Sequence, residues 1–373
     1  MSVNPRISLQ NISNTYDNIG RLTQATSAGS VTDFEYDKAG NNLNNNALYN
    51  ILNNRLNTSD IYVITYDSMG NIKSKHNKLT NTTSNYTFNS RNQLVSYAQL
   101  DESNQTTKTL SYTYDAFNRR VSKTDTSAGS ATVTQKYLYD GDDIVAILDS
   151  NNAVIATITH DESIDTPLSI TNANGTFYYH RDHQGSIIAL TDSSGQVVES
   201  FTYDNHYGTI VDHTVTTETN NPYAYTGREL DTEELYYYRA RYYDPQIERF
   251  LGEDPIGFAS WDFNFYRYVR NNAINLTDPY GYFGIPGAIA GGLTGAGMSF
   301  WNPCTGRFDR VPGGWEFIRN TALGALGGFF AGLGAASETA MGIGIGLGGD
   351  AIVNLGNYSN ASSPQCDKKP ECE

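Results

Sequence analysis

The chain has 373 residues, enough for more than one packed domain, with 27 tyrosines and 15 phenylalanines but only 17% charged residues. A net charge of −15 without any clustered Lys/Arg stripe argues against nucleic acid as the main partner, because phosphate binding needs concentrated cations. The wealth of aromatic and β-branched side chains favours strands and turns over helices.

The first eight residues, MSVNPRIS, contain no apolar run, so no secretory signal peptide is visible. A repeat then sets in. Its copies are TYDNIGRLT at Thr15, EYDKAGNNL at Glu35, TYDSMGNIK at Thr65, TFNSRNQLV at Thr87, TYDAFNRRV at Thr113 and LYDGDDIVA at Leu138. Successive starts lie 20, 30, 22, 26 and 25 residues apart. Residues before each Tyr-Asp alternate, as in Ser111-Tyr112-Thr113-Tyr114, which is the period of a strand. The Asp then accepts backbone N–H groups and a Gly or Asn tolerates positive φ, so the chain turns. Each copy therefore predicts a β-hairpin that cannot bury its own face and must stack on its neighbours.

From about residue 156 the spacing loosens. FYYHRDHQGS begins at Phe177 and YTGRELD at Tyr225, and residues 236–281 carry Asp-Pro pairs at Asp244, Asp254 and Asp278. Two of these lie in the same D-P-x-G pattern, at Asp254-Pro255-Ile256-Gly257 and Asp278-Pro279-Tyr280-Gly281. Beyond residue 282 the composition changes abruptly: residues 283–373 hold 20 of the 34 glycines and one tyrosine, Tyr358. This organisation gives YD repeats over 1–155, a core over 156–282 and a variable Gly-rich tail over 283–373. In the tail, Gly287, Gly291 and Gly295, and again Gly324, Gly328 and Gly332, would line one smooth helical stripe. Residues 320–337 are uncharged, a borderline length for crossing a bilayer.

The candidate chemistry sits in the paired D-P-x-G motifs. Asp254 and Asp278 are 24 residues apart, with an aromatic segment (Phe263, Phe265, Tyr266, Tyr268) between them. If that segment folds back the carboxylates meet, and two buried carboxylates cannot both ionise. A shared proton provides a general acid beside a general base, the chemistry of an aspartic protease. The competing reading is that each Asp-Pro only forms a turn. His180, Asp182 and His183 lack a further ligand, so no metal is expected there. The G-x-G-x-x-G at Gly344 lacks a preceding strand, and no cofactor is expected. The three cysteines, Cys304, Cys366 and Cys372, all lie in the tail and form no CxxC pair.

Taken together, the YD copies, FYYHRDHQGS, YTGRELD and YYYRARYYDPQIERFLGEDPIG resemble the Rhs repeat-associated core of the YD-repeat family, over roughly residues 15–281. The resemblance implies a mainly β fold, in which stacked YD hairpins form part of a spiral β-shell followed by a small helical tail. It implies a shell that encloses and presents its C-terminal segment, as in polymorphic toxins and teneurin-like shells. It also implies self-cleavage after Tyr282 and before Phe283, with Asp254 and Asp278 as the catalytic pair and Arg249 orienting them. The partners implied are the tail itself as cargo, an upstream Rhs shell, an immunity protein or secretion machinery, at the cell surface or secreted. Two other readings stand beside it. One is an uncut surface module binding glycans; the other is a membrane-active tail.

Overall fold

The computed structural model describes residues 13–282, apart from 28–29, 204–205 and 261, together with the backbone of 299–302 and 307–310. Sixteen strands, from Leu48–Tyr49 to Ile210–Val215, hydrogen-bond in chain order as a single antiparallel meander. Ser13–Tyr16, Leu22–Ser27 and Ser30–Asp33 form a three-stranded sheet ahead of it. The second repeat, at Glu35, makes only the bridge between Tyr36 and Asn42 and so falls between the two sheets. Motif content changes near residue 156, but the sheet does not: Val154–His160 runs through that position, paired with Asp143–Leu148 on one side and Pro167–Asn172 on the other.

The turns follow the repeat's chemistry. Oδ1 of Asp17, Asp37, Asp67, Asn89 and Asp115 accepts the N–H groups of the residues two and four positions later, at 2.8–3.1 Å. One side-chain oxygen thus satisfies two backbone donors that the turn leaves unpaired. Gly70 has φ +89 in the third copy, and Asn92 and Asn118 take the same left-handed backbone in the fourth and fifth. The repeat tyrosine acts between hairpins: Tyr36, Tyr114, Tyr139 and Tyr203 donate to the carbonyls of Leu22, Leu94, Arg120 and Ile187, each the residue that opens the return strand of an earlier hairpin.

Strands of this wall bury alternate residues. Along Tyr62–Tyr66, Tyr62 and Ile64 face the core while Val63 and Thr65 face out. The closing ribbon differs. Its four strands, Glu229–Thr232, Leu235–Tyr238, Arg241–Asp244 and Arg249–Phe250, form their own sheet, and the last three are buried at every residue. Leu235, Tyr237, Tyr242 and Leu251 pack with Leu56, Ile72, Leu94 and Leu110 of the first half of the wall. Tyr236, Tyr238, Tyr243 and Phe250 pack with Ile144, Ile147, Phe177 and Leu190 of the second half. One continuous sheet covers both faces of the ribbon only by curling around it, and a ribbon covered on both faces reads as an unbroken aromatic run. The buried hydroxyls find partners: Tyr236 donates to the Gly208 carbonyl at 2.9 Å and Tyr243 to that of Tyr207 at 2.8 Å.

Charge links wall to ribbon as well. Arg120 stands where other hairpins carry the fully buried Leu22, Ile72, Leu94 and Ile187, and it pairs with Asp231 of the ribbon. Lys75, also buried, lies 2.5 Å from Asp244 and 3.1 Å from Glu234. In the tail, treated by itself, the described backbone is an antiparallel pair of strands, Ser299–Asn302 with Arg307–Arg310. The glycine stripes at 287–295 and 324–332 and the uncharged run 320–337 lie outside the described residues.

Candidate active site

The aromatic segment folds back as its spacing suggested. Phe250 donates its N–H to the Tyr266 carbonyl at 2.9 Å, and Asp254 donates to that of Phe265 at 3.0 Å. Both D-P-x-G motifs are turns, with the Gly N–H returning to the Asp carbonyl at 2.9 Å for Gly257 and 3.3 Å for Gly281. In each, Oδ1 holds the local backbone: Asp254 Oδ1 accepts from Ile256 N–H at 3.1 Å, and Asp278 Oδ1 from Tyr282 N–H at 3.0 Å. The two Oδ2 atoms are left for something else. Both face one guanidinium, with Arg241 Nη2 at 3.4 Å from Asp254 and 3.3 Å from Asp278. Turn formation and carboxylate pairing are therefore simultaneous, each using a different oxygen.

Arg241 is itself buried and fully engaged. Its Nε donates to the Gly281 carbonyl at 2.6 Å and its Nη1 to that of Phe265 at 3.0 Å, while the guanidinium lies 3.5 Å above the Phe250 ring. The position expected for Arg249 belongs to Arg241. Successive strand side chains point to opposite faces. Because Phe250 points at Arg241, the neighbouring Arg249 points away. Its guanidinium sits between the rings of Tyr49 and Tyr266 and donates to the Asn54 carbonyl at 2.9 Å. Nothing in the sequence separated the two, since Arg241 and Arg249 both lie in strands buried on both faces.

Asp278 has no exposed surface and Asp254 is 6% exposed. Burial pushes Asp278 up to about 6, against the pull of Arg241 and with a further push from Asp254. Burial also raises Asp254, again against Arg241. The third Asp-Pro pair is elsewhere: Asp244 caps the N–H of Gln246 and holds Lys75. Tyr282 is half-buried with its N–H on Asp278, and Phe283 lies outside the described residues. The His180 cluster does not converge on one point. His180 faces Thr191 at 2.9 Å, Asp182 caps its own turn through Gln184 and Ser186 N–H, and His183 is exposed.

A curled sheet of YD hairpins wrapped around a doubly buried tyrosine ribbon defines a YD-shell protein. The Teneurin YD-shell family model matches residues 3–274, and the chain belongs to that family. The chain is 30% identical over 286 residues to the tRNA3(Ser)-specific nuclease WapA of Bacillus spizizenii, covering 72% of this chain and 12% of that protein. It is 28% identical over 288 residues to toxin subunit YenC1 of Yersinia entomophaga, covering 71% of this chain and 28% of that one. A solved Photorhabdus luminescens Tc holotoxin pore matches with a TM-score of 0.47 at 19% identity, over 74% of this chain and 17% of its own. The chain spans well under a third of the length of each of these proteins.

Proposed function

We propose that this chain is the closing end of a YD shell that encloses its own residues 283–373 and severs itself after Tyr282, leaving the tail as released cargo. The observation that carries this reading is the pair of buried carboxylates on one guanidinium, one of them bonded to Tyr282 N–H. That bond ties Asp278 to Tyr282, the residue on the N-terminal side of the proposed cut. The pair holds one proton. Its ionised member takes a proton from water, and the water oxygen bonds to the Tyr282 carbonyl carbon. Its protonated member gives its proton to the Phe283 nitrogen as the C–N bond breaks. The products are a carboxyl group at Tyr282 and an amine at Phe283, and the pair again holds one proton.

N-terminal sequencing of the smaller fragment tests the position of the cut. Phe283 is expected as its first residue, and any other start refutes the assignment. Because burial raises the Asp278 carboxyl, the proton is lost as pH rises past about 6. Cleavage is therefore expected to slow about tenfold per pH unit above that point. A flat profile across this range would count against the pair. A secreted or surface location, with upstream shell sequence, an immunity protein or secretion machinery as partners, accords with the likeness to a toxin subunit.

A second reading, an uncut surface module for glycans, is favoured by hydroxyl pairs on the outer face of the wall. Thr65–Ser74 and Thr113–Ser122 lie at 2.6 Å and Thr171–Thr176 at 2.9 Å, all exposed. It predicts a chain that stays whole and binds a glycan array.

A further inference from the structure

The turn from Asp278 to Gly281 is gripped by one short stretch of ribbon. Arg239 Nη1 donates to the Pro279 carbonyl. Ala240 donates its backbone N–H to the Tyr280 carbonyl at 3.2 Å, and Arg241 Nε donates to that of Gly281 at 2.6 Å. Three consecutive residues thus hold three consecutive carbonyls immediately before Tyr282. The fit is close: a Cβ on Gly281, which has φ +68, would lie 2.3 Å from the Tyr238 carbonyl oxygen.

Arg239 is an unusual residue for its place. It lies in the two-residue turn that joins Leu235–Tyr238 to Arg241–Asp244, at φ +54. That left-handed backbone is normally given to Gly or Asn in such turns, because a larger side chain is strained there. Strain tends to be retained where it places a side chain that has other work. Here the guanidinium is aimed at the Pro279 carbonyl and lies 5.4 Å from the Tyr280 ring.

Its aim is set from the wall. Asp165 accepts Arg239 Nη2 at 2.8 Å and Nη1 at 3.3 Å, and the Asp142 carbonyl accepts Nη2 at 3.3 Å. Asp165 belongs to the loop 161–166 between the strands Val154–His160 and Pro167–Asn172, and its own φ is +56. It is fixed from two further directions. Arg228 Nη1 donates to the same carboxylate, and a Cβ on Gly227 would lie 2.7 Å from the Asp165 carbonyl oxygen. The carboxylate therefore has little freedom, and neither does the guanidinium it holds.

We infer that Arg239, oriented by Asp165, is a positioning residue for self-cleavage, fixing the backbone that enters the Tyr282–Phe283 bond against the carboxylate pair. Arg239 touches neither carboxylate of the pair; it acts through the Pro279 carbonyl. Since Asp165 comes from the wall and Arg239 from the ribbon, cutting is conditional on loop 161–166 docking onto the ribbon. The chain is thus not cut until that part of the shell has closed. This inference rests on the self-cleavage reading.

The test is a pulse–chase of the full chain made by cell-free translation, timing cleavage from about pH 5 to about pH 8. Wild type is compared with Arg239→Gln, Arg239→Lys and Asp165→Asn, and limited proteolysis of each body reports folding. Arg239→Gln and Asp165→Asn are each expected to slow cleavage about tenfold or more, as small misplacements of reacting groups do. Their pH midpoint should stay at the wild-type value and their bodies should stay protease-resistant, because the titrating pair is untouched. Arg239→Lys should restore part of the rate, since an ammonium still reaches the carbonyl. Arg239→Gln cutting as fast as a cutting wild type overturns this inference alone. So does a slowed variant whose body has lost protease resistance or whose pH midpoint has moved. A wild type that stays whole at every pH overturns the self-cleavage reading and this inference together.

Discussion

In the wall a typical strand, such as Tyr62–Tyr66, buries one face, whereas in the ribbon of residues 229–250 the sheet is covered on both. The wall can therefore leave every second residue polar, and its hydrogen-bonded turns are self-contained. The ribbon has no solvent side, so burial favours a charged partner for the charges in it, although Arg249 is held instead by the Asn54 carbonyl between two tyrosine rings. Asp231 is answered by Arg120, Asp244 by Lys75, and Arg241 by Asp254 and Asp278. The first two pairs fasten ribbon to wall. The third differs, because one cation faces two carboxylates, and the surplus carboxylate is the group from which the proposed cleavage would draw its proton.

The fastening pairs should be the most sensitive points. Arg120→Leu restores the aliphatic residue that other hairpins carry, yet it leaves Asp231 buried with Lys123, at 3.2 Å, as its cation among the described residues. It is expected to cost about 3–5 kcal/mol in urea unfolding, with most of that recovered on adding Asp231→Leu. Equal losses in the single and double variants would show that the pair is not what joins the two regions. A smaller effect is expected between neighbouring hairpins. Tyr114→Phe removes the bond to the Leu94 carbonyl at 2.6 Å and should cost about 1 kcal/mol. No measurable loss of urea midpoint would mean that the tyrosine contributes by packing alone. The smallest is expected within a single turn. Asn89 already makes the two backbone bonds that Asp115 makes, and the further Asp115–Arg119 ion pair at 2.9 Å is partly exposed, so Asp115→Asn should change stability by less than about 0.5 kcal/mol. A larger change in thermal unfolding would show that the charge, rather than the acceptor geometry, sets the turn.

This same division decided what could be read from the sequence. The wall was legible because its rules are local: a Tyr-Asp, then Gly or Asn, then a buried aliphatic. Even there the sixth copy departs, since Asp140 pairs directly with Asp143 across a two-residue turn. Asp101 and Asp149 make the repeat's two-bond turn without a preceding tyrosine, so a search for the dipeptide passes over them. In the ribbon, the meeting of Asp254 and Asp278 was legible from the aromatic segment between them. The choice of arginine was not. Arg241 and Arg249 lie in one short run, and only the strand alternation at Phe250, fixed by the fold, sends one to the carboxylates and the other to Tyr49 and Tyr266. The contribution of Asp165 was further out of reach, because it reaches Arg228 and Arg239, 63 and 74 positions away, from a loop that carries no motif.

The most direct test of the account is the intact mass of the purified chain beside that of Asp278→Asn. Self-cleavage by the pair predicts two fragments divided between Tyr282 and Phe283 in the wild type and an unbroken 41.1 kDa species in the variant. A single 41.1 kDa species in both would contradict it, leaving Asp254 and Asp278 as turn residues.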